Sequence, residues 1–180
     1  MADRIESAVN IDDLRKAAKR VLPGFLFDFI EGGVDDETAL SRNEDAFARY
    51  RLLPRYLNDI SRRSLETDVL GMRFACPFGI SPTGPAPLFH PHADLILAQA
   101  AMAADIPFIL SGASGDAIET VARRAPGHVW SQLYGARDRT ISQAQISRAR
   151  AAGIEVLVVT VDTPVTPKRE RHLRNCISVP

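Results

Sequence analysis

Cysteine is scarce in this chain: Cys76 and Cys176 are the only two among 180 residues. No C-x-x-C occurs, and no Cys/His spacing suits zinc, so a structural zinc site is not expected. Two free thiols in a reducing compartment are the expectation. An excess of charge of either sign is also missing. Lys+Arg and Asp+Glu both number 22, giving a formal net charge of zero. A non-specific polyanion binder needs clustered, uncompensated Lys and Arg, so that class is disfavoured. No apolar run approaches the roughly 20 residues that span a bilayer. The N-terminal stretch MADRIESAVN has no apolar core of a secretory signal. A cytoplasmic, soluble chain is expected, with membrane contact left to segments outside it. The G-x-G-x-x-G fingerprint of dinucleotide folds is absent after the first strand-like run.

What remains is an ordinary globular composition, 46% apolar and 24% charged. Asn10 is placed to cap a helix from Ile11 to about Val21. Asp12 and Asp13 lie in its first turn, Lys16, Lys19 and Arg20 near its end, and Ile11, Leu14, Ala18 and Val21 form its apolar stripe. Pro23-Gly24 breaks it. A second helix is predicted over about Phe25–Glu31, ending at Gly32-Gly33. A third is predicted over about Asp36–Tyr50, with Asp35 as its cap and Leu40, Phe47 and Tyr50 as its buried face. Thr67–Leu70 and Met72–Ala75 flank Gly71 and read as a hairpin.

From there the rhythm changes. Short apolar runs at Phe78–Ile80, Phe108–Leu110, Val129–Leu133 and Val156–Val161 alternate with helical segments at about Ala93–Ala104, Asp116–Arg123 and Asp138–Ala152. Alternation with a unit of roughly 20–30 residues implies βαβ units and a parallel sheet. Such strands fit either an open doubly wound sheet or the first half of an eight-stranded barrel. Polar residues gather at the ends of the runs: Pro82-Thr83-Gly84, Ser111, Gln132 with Tyr134, and Thr160 with Asp162. In a barrel those positions face the active site. Residues 1–65 are expected to form a helical N-terminal segment and residues 66–180 the half-barrel.

Several signatures in this order resemble the FMN-dependent 2-hydroxy-acid dehydrogenase and oxidase family, which holds glycolate oxidase, L-lactate dehydrogenase and mandelate dehydrogenase. They are Phe27–Gly33 followed by Asp35-Asp36-Glu37, Leu53-Pro54-Arg55-Tyr56-Leu57 with Asp59, Ser81–Gly84, Leu110-Ser111, Gln132-Leu133-Tyr134, Thr160–Pro164, Arg169-Glu170 and Arg174-Asn175. The resemblance covers about Ile11 to Pro180 and implies the first four βα units of a TIM (β/α)8 barrel. It implies oxidation of an L-2-hydroxy acid to the 2-oxo acid by hydride transfer to FMN. By the same resemblance Pro82, Thr83, Gly84, Ser111, Gln132 and Thr160 would contact the flavin. Tyr134 and Arg169 would contact substrate, and Asp162 would play a supporting role. These assignments suit a flat, mostly apolar ring with a polar edge, which needs a close backbone wall and donors or acceptors at that edge.

Two departures stand out. Phe29 occupies the place of a family tyrosine that helps bind the substrate carboxylate, and Pro85 removes a backbone donor beside the flavin. The resemblance also places the family's proton-abstracting histidine, carboxylate-clamping arginine and flavin-stabilising lysine in a later half of the fold. None of His90, His92, His128 and His172 matches that histidine, and each is expected to be a surface or loop residue. The ending Ile177–Pro180 reads as a truncation. The chain alone is therefore expected to be inactive. The alternative is a non-catalytic half-barrel, or a split-enzyme subunit needing a separate C-terminal half. A different flavin-binding barrel, such as an isomerase, is disfavoured by Gln132-Leu133-Tyr134 and Thr160–Pro164. Full-length relatives are expected to be homo-oligomeric and to use dioxygen, quinone or a cytochrome as acceptor. The acceptor and the particular 2-hydroxy acid are not encoded in these motifs.

Overall fold

The structure, a computed structural model, describes residues 7–162 and 165–176. Thr163, Pro164 and Ile177–Pro180, named above among the motifs and at the chain's end, lie outside the described residues. The chain divides into two compact units, Met1–Leu57 with Val165–Pro180, and Asn58–Pro164.

In the first unit, α1 (Ile11–Val21) starts as the sequence predicts, with the Asn10 side chain accepting a 2.8 Å hydrogen bond from the Asp13 amide. Its apolar stripe is not covered, however: Ile11 and Val21 are exposed and α1 buries no residue. Helix α2 (Gly24–Glu31) buries Phe27. Helix α3 (Thr38–Phe47) begins two residues later than expected, and Asp35 does not cap it. Asp35 and Glu37 both adopt positive φ in a tight turn, and Asp36 accepts from the Thr38 amide instead. Glu37 reaches back to the Gly33 amide at 3.1 Å and forward to Arg171. Phe47 and Tyr50 are 82% and 84% exposed, so the predicted buried face is wrong at both. A short helix, α7 (Glu170–Arg174), packs against α2. Arg171 bridges Asp28 and Glu37, and Asn175 donates to Asp28 at 2.8 Å.

The second unit carries the alternating segment. Strands β1 (Thr67–Val69) and β2 (Met72–Phe74) pair antiparallel around Leu70 and Gly71, both at positive φ as a two-residue hairpin turn requires. Helices α4 (Ala93–Ala103), α5 (Ile118–Arg124) and α6 (Arg139–Ala151) alternate with parallel strands β3 (Phe108–Leu110), β4 (Val129–Tyr134) and β5 (Leu157–Thr160), ordered β3-β4-β5. The run Phe78–Ile80 contributes a single parallel bridge, from Ile80 to Phe108. Pro77 and Pro82 bracket it, and proline supplies no ladder donor.

The register sorts the strand residues onto two faces, because side chains alternate along a strand and in-register neighbours share a side. Phe108, Leu110 and Val129 face the helices, where they pack with Ala98, Ala101, Val121, Ala122, Ala125, Ala149 and Ile154. Ser131, Leu133, Leu157 and Val159 continue that face. The opposite face holds Ile109, Trp130, Gln132, Tyr134, Val158 and Thr160. The hairpin serves its lower end: Phe74 is 2% exposed and meets Trp130 and His128 edge-on, with centroids 6.1 and 6.2 Å away.

Phe108, 1% exposed at the centre of the helix-facing core, anchors this layer. Phe108→Ala should lower unfolding stability by about 3–5 kcal/mol. Urea denaturation followed by the fluorescence of Trp130, the chain's one tryptophan, measures this.

Candidate functional site

Three strand tips meet on the face opposite the helices. Gln132, 5% exposed near the end of β4, is the link. Its Oε1 accepts a 2.6 Å hydrogen bond from the Gly112 amide just beyond β3, and its Nε2 donates at 2.7 Å to Thr160 Oγ1 at the end of β5. Both ends of the amide are thus used, which fixes its orientation. Such pairing is what a buried uncharged amide requires to offset its lost hydration. Ser111, 6% exposed, accepts from the Ala113 amide at 3.1 Å and so shapes the loop leaving β3.

Two glycines leave room around this line. A Cβ on Gly84 would collide with Ser111 Oγ and meet Ala113 Cβ at 3.0 Å. A Cβ on Gly112 would meet Gln132 O and Tyr134 Cδ2, each at 3.3 Å. Close backbone approach therefore excludes a Cβ at Gly84, and at Gly112 it leaves one only a tight fit. Pro82 and Thr83, just before Gly84, are exposed. Tyr134, at the tip of β4 in register with Thr160, is 52% exposed.

The structure thus brings Gly84, Ser111, Gln132, Tyr134 and Thr160 to one end of one sheet, with Pro82 and Thr83 in the segment beside them. Arg169 belongs to the other unit, where it immediately precedes α7 and is half-buried. Asp162 is exposed. One histidine, His172, departs from the surface-or-loop expectation, while His128 lies in the turn before β4 as expected. His172 lies on α7, stacked on Phe29 with centroids 4.9 Å apart and planes 11° apart, its Nε2 3.3 Å from Phe29 O. His128 is half-buried between Asp105 and the carbonyl of Pro126.

A cleft of about 390 Å3 opens beside the same loop, between α5 and α6, with Ser114, Asp116, Ser131, Gln145 and Arg148 in its lining. Its one guanidinium is committed: Arg148 grips Glu119 at 2.8 and 2.9 Å and holds that carboxylate down at about 2. Ser111, Gly112 and Gln132 also border this cleft, so it adjoins the Gln132–Thr160 line, while Thr160 and Tyr134 do not line it. Sequence reasoning missed Gly112, whose amide is half of the central link. A glycine directly after a strand-end serine was the available signal. It also missed Asp94, a buried carboxyl in the apolar segment Ala93–Ala103.

Gln132→Leu leaves the Gly112 amide without its acceptor and Thr160 without its donor. It should cost about 1–3 kcal/mol, the usual penalty for stranded polar groups. Urea unfolding of the variant and the parent chain compares them. An unchanged midpoint contradicts the bridging role.

Comparison with known proteins supplies the context. The family model for FMN-dependent dehydrogenase matches residues 18–180. The chain is 42% identical over 175 residues to (S)-mandelate dehydrogenase of Pseudomonas putida, covering 97% of this chain and 44% of that one. It is 41% identical over 178 residues to a putative L-lactate dehydrogenase of Mycobacterium tuberculosis, covering 98% and 43%. The chain therefore spans somewhat under half the length of these curated relatives. Among solved structures it superposes on mandelate oxidase with a TM-score of 0.92 at 38% identity, over 97% of this chain and 50% of that one. A soluble mutant of the membrane-associated (S)-mandelate dehydrogenase of Pseudomonas putida gives 0.91 at 43% identity, over 95% and 49%. In fold the chain is part of a TIM barrel, helices on one face of a parallel sheet and polar tips at its carboxyl end. It belongs to the FMN-dependent dehydrogenase family.

Proposed function

We propose that this chain provides the flavin-facing first half of an FMN-dependent oxidoreductase that converts a 2-hydroxy acid into the 2-oxo acid. FMN is the family's cofactor. The observation that carries the reading is the Gly112–Gln132–Thr160 line, with Gly84 beside it where a side chain would collide and Gly112 itself tightly surrounded. That combination suits FMN: a close backbone wall for a planar ring, and neutral hydrogen-bonding groups at its polar edge. Pro82, Thr83, Gly84, Ser111, Gln132 and Thr160 would hold it. When bound, FMN supplies the electron sink for the hydride leaving the substrate carbon.

The chain's own residues bind and orient. Thr160 and Gln132 present a hydroxyl and an amide whose positions are set by each other, so little reorganisation is needed on binding. The Tyr134 hydroxyl, on an exposed strand tip, would stabilise charge on a reacting oxygen. Arg169 would pair with the substrate carboxylate. Phe29 offers no hydroxyl to that carboxylate and is stacked on His172, so one anion contact worth roughly 1.5–3 kcal/mol is missing. This favours a substrate whose remaining groups offset it. The proton-abstracting base would come from outside these 180 residues.

A second reading, a subunit completed by a separate polypeptide, is favoured by bare surface on the sheet. Leu157, Val159 and Val161 are exposed on the helix-facing side of β5. The buried Nε1 of Trp130 has no hydrogen-bond partner among the described residues.

Purification of the chain alone and with a co-produced second half of a relative tests both readings. The chain alone should be colourless and inactive, and the pair should be yellow and reduced by an (S)-2-hydroxy acid. A yellow, substrate-reducible single chain overturns the assignment of the base to other residues. A colourless, inactive pair overturns the flavin reading.

A further inference from the structure

Asp94 has no part in the site as described, yet it is one of the most deeply buried side chains of the second unit, 1% exposed in the first turn of α4. A carboxyl in such a place needs a reason, because burying its charge is costly unless it is well paired. The described residues give it no cation. Its Oδ2 instead accepts a short 2.6 Å hydrogen bond from Ser114 Oγ. Ser114 is the pivot of the loop between β3 and α5. Its Oγ accepts from the Asp116 amide at 3.1 Å, and its own amide donates to Ser111 O at 3.0 Å. Ser111 and Gly112, the loop's first residues, form the wall beside Gln132. One buried carboxyl on α4 is thus connected by two hydrogen-bonded steps to the flavin-facing tip of β3.

A second carboxyl stands close by. Asp116 has an Oδ2 that is buried and without a hydrogen-bond partner among the described residues. Its Oδ1 lies 3.4 Å from Nδ1 of the largely exposed His92. A buried carboxyl with a second carboxylate close by is better satisfied protonated than ionised. Burial pushes the Asp94 carboxyl up from its ordinary value, against the opposing bond from Ser114, and the charge of Asp116 adds to the rise. The elements packed on α4 bring few other charges. β3 and the short helical turn Ala86–Leu88 carry none, and α5 carries Glu119, Arg123 and Arg124, with Glu119 engaged by Arg148. His90 and His92 precede α4.

We propose that Asp94 is a positioning residue for the Ser111–Asp116 loop, acting through Ser114, and that its hold on the loop is strongest when Asp94 is protonated. The proposal rests on the flavin reading only for what the loop serves. The sign follows from the direction of the shift. A carboxyl raised in the folded state contributes stability below its unfolded value, and that contribution is lost as pH rises through the folded one. Asp94→Asn imitates the protonated form at every pH, and Asp94→Ala removes the acceptor altogether.

Amide hydrogen exchange of the 180-residue chain tests this, read at Gly112 and Ala113 and corrected for the intrinsic pH dependence of exchange. In the parent chain, protection of these amides should fall as pH rises above the ordinary carboxylate range. In Asp94→Asn it should stay flat. In Asp94→Ala it should fall roughly tenfold at pH below the carboxylate range, the scale of one lost hydrogen bond. A His92→Gln control should keep the parent's pH dependence. Carboxyl-carbon NMR of the unmutated chain gives a check free of folding defects, with Asp94 titrating above the ordinary range. Ordinary titration of Asp94, a pH dependence that vanishes in His92→Gln, or identical profiles for Asp94→Asn and the parent would each overturn the proposal. FMN affinity of the completed protein separates the two layers. A loop that responds to Asp94 while FMN affinity does not would refute the flavin reading and leave the clasp standing.

Discussion

The two hydrogen bonds of the Gln132 side chain tie the carboxyl ends of three parallel strands into one edge. One bond reaches the Gly112 amide beyond β3 and the other the Thr160 hydroxyl at the end of β5. Neither is strong by itself, since a hydrogen bond inside a protein replaces one to water. Their importance is geometric. A neutral amide with one acceptor and one donor end, both occupied, has no freedom to rotate, and each strand tip is set relative to the next. Leucine at the same place would fill the space and lose the register of the tips.

That edge exists because the sheet keeps its two faces chemically distinct. Helices α4, α5 and α6 supply small residues, mostly alanine, so they can approach the strands closely over Phe108, Leu110 and Val129. The other face is free to carry groups that a packed core could not tolerate. At its lower end the β1–β2 hairpin places Phe74 against Trp130. At its upper end stand Ser111, Gln132 and Thr160. The cleft between α5 and α6 has polar residues as well, but its guanidinium is already paired with Glu119. The hydrogen-bonded line from Gly112 through Gln132 to Thr160, and not the size of a cavity, identifies the candidate cofactor surface.

Much of this was legible in the residues. The cap at Asn10, the hairpin around Gly71, the alternation of strands and helices and the polar strand ends all follow from local chemistry that the fold leaves unopposed. The failures have physical causes. The run Phe78–Ile80 looks like a strand by composition, but flanking prolines reduce it to one bridge. Helix α3 starts late because Asp35 and Glu37 take up a positive-φ turn in which Glu37 serves Gly33 and Arg171. That partner lies far along the chain and no local pattern announces it. Phe47 and Tyr50 carry the apolar periodicity of a buried face, yet periodicity states which residues could be covered and not what covers them. Asp94 was invisible for a similar reason. In sequence it is one acidic residue at a helix start, ordinary for the macrodipole, and only burial distinguishes it.

The central claim is that FMN lies on the face of the sheet that holds Gln132 and Thr160. NMR of the protein completed by a second half, with and without FMN, tests it through ring-current shifts. The account predicts large shifts at the Gly112 amide and the Gln132 side-chain amide, with little change at Gln145 and Arg148. Shifts confined to Ser131, Gln145 and Arg148 would put the ligand in the cleft between the helices and contradict it.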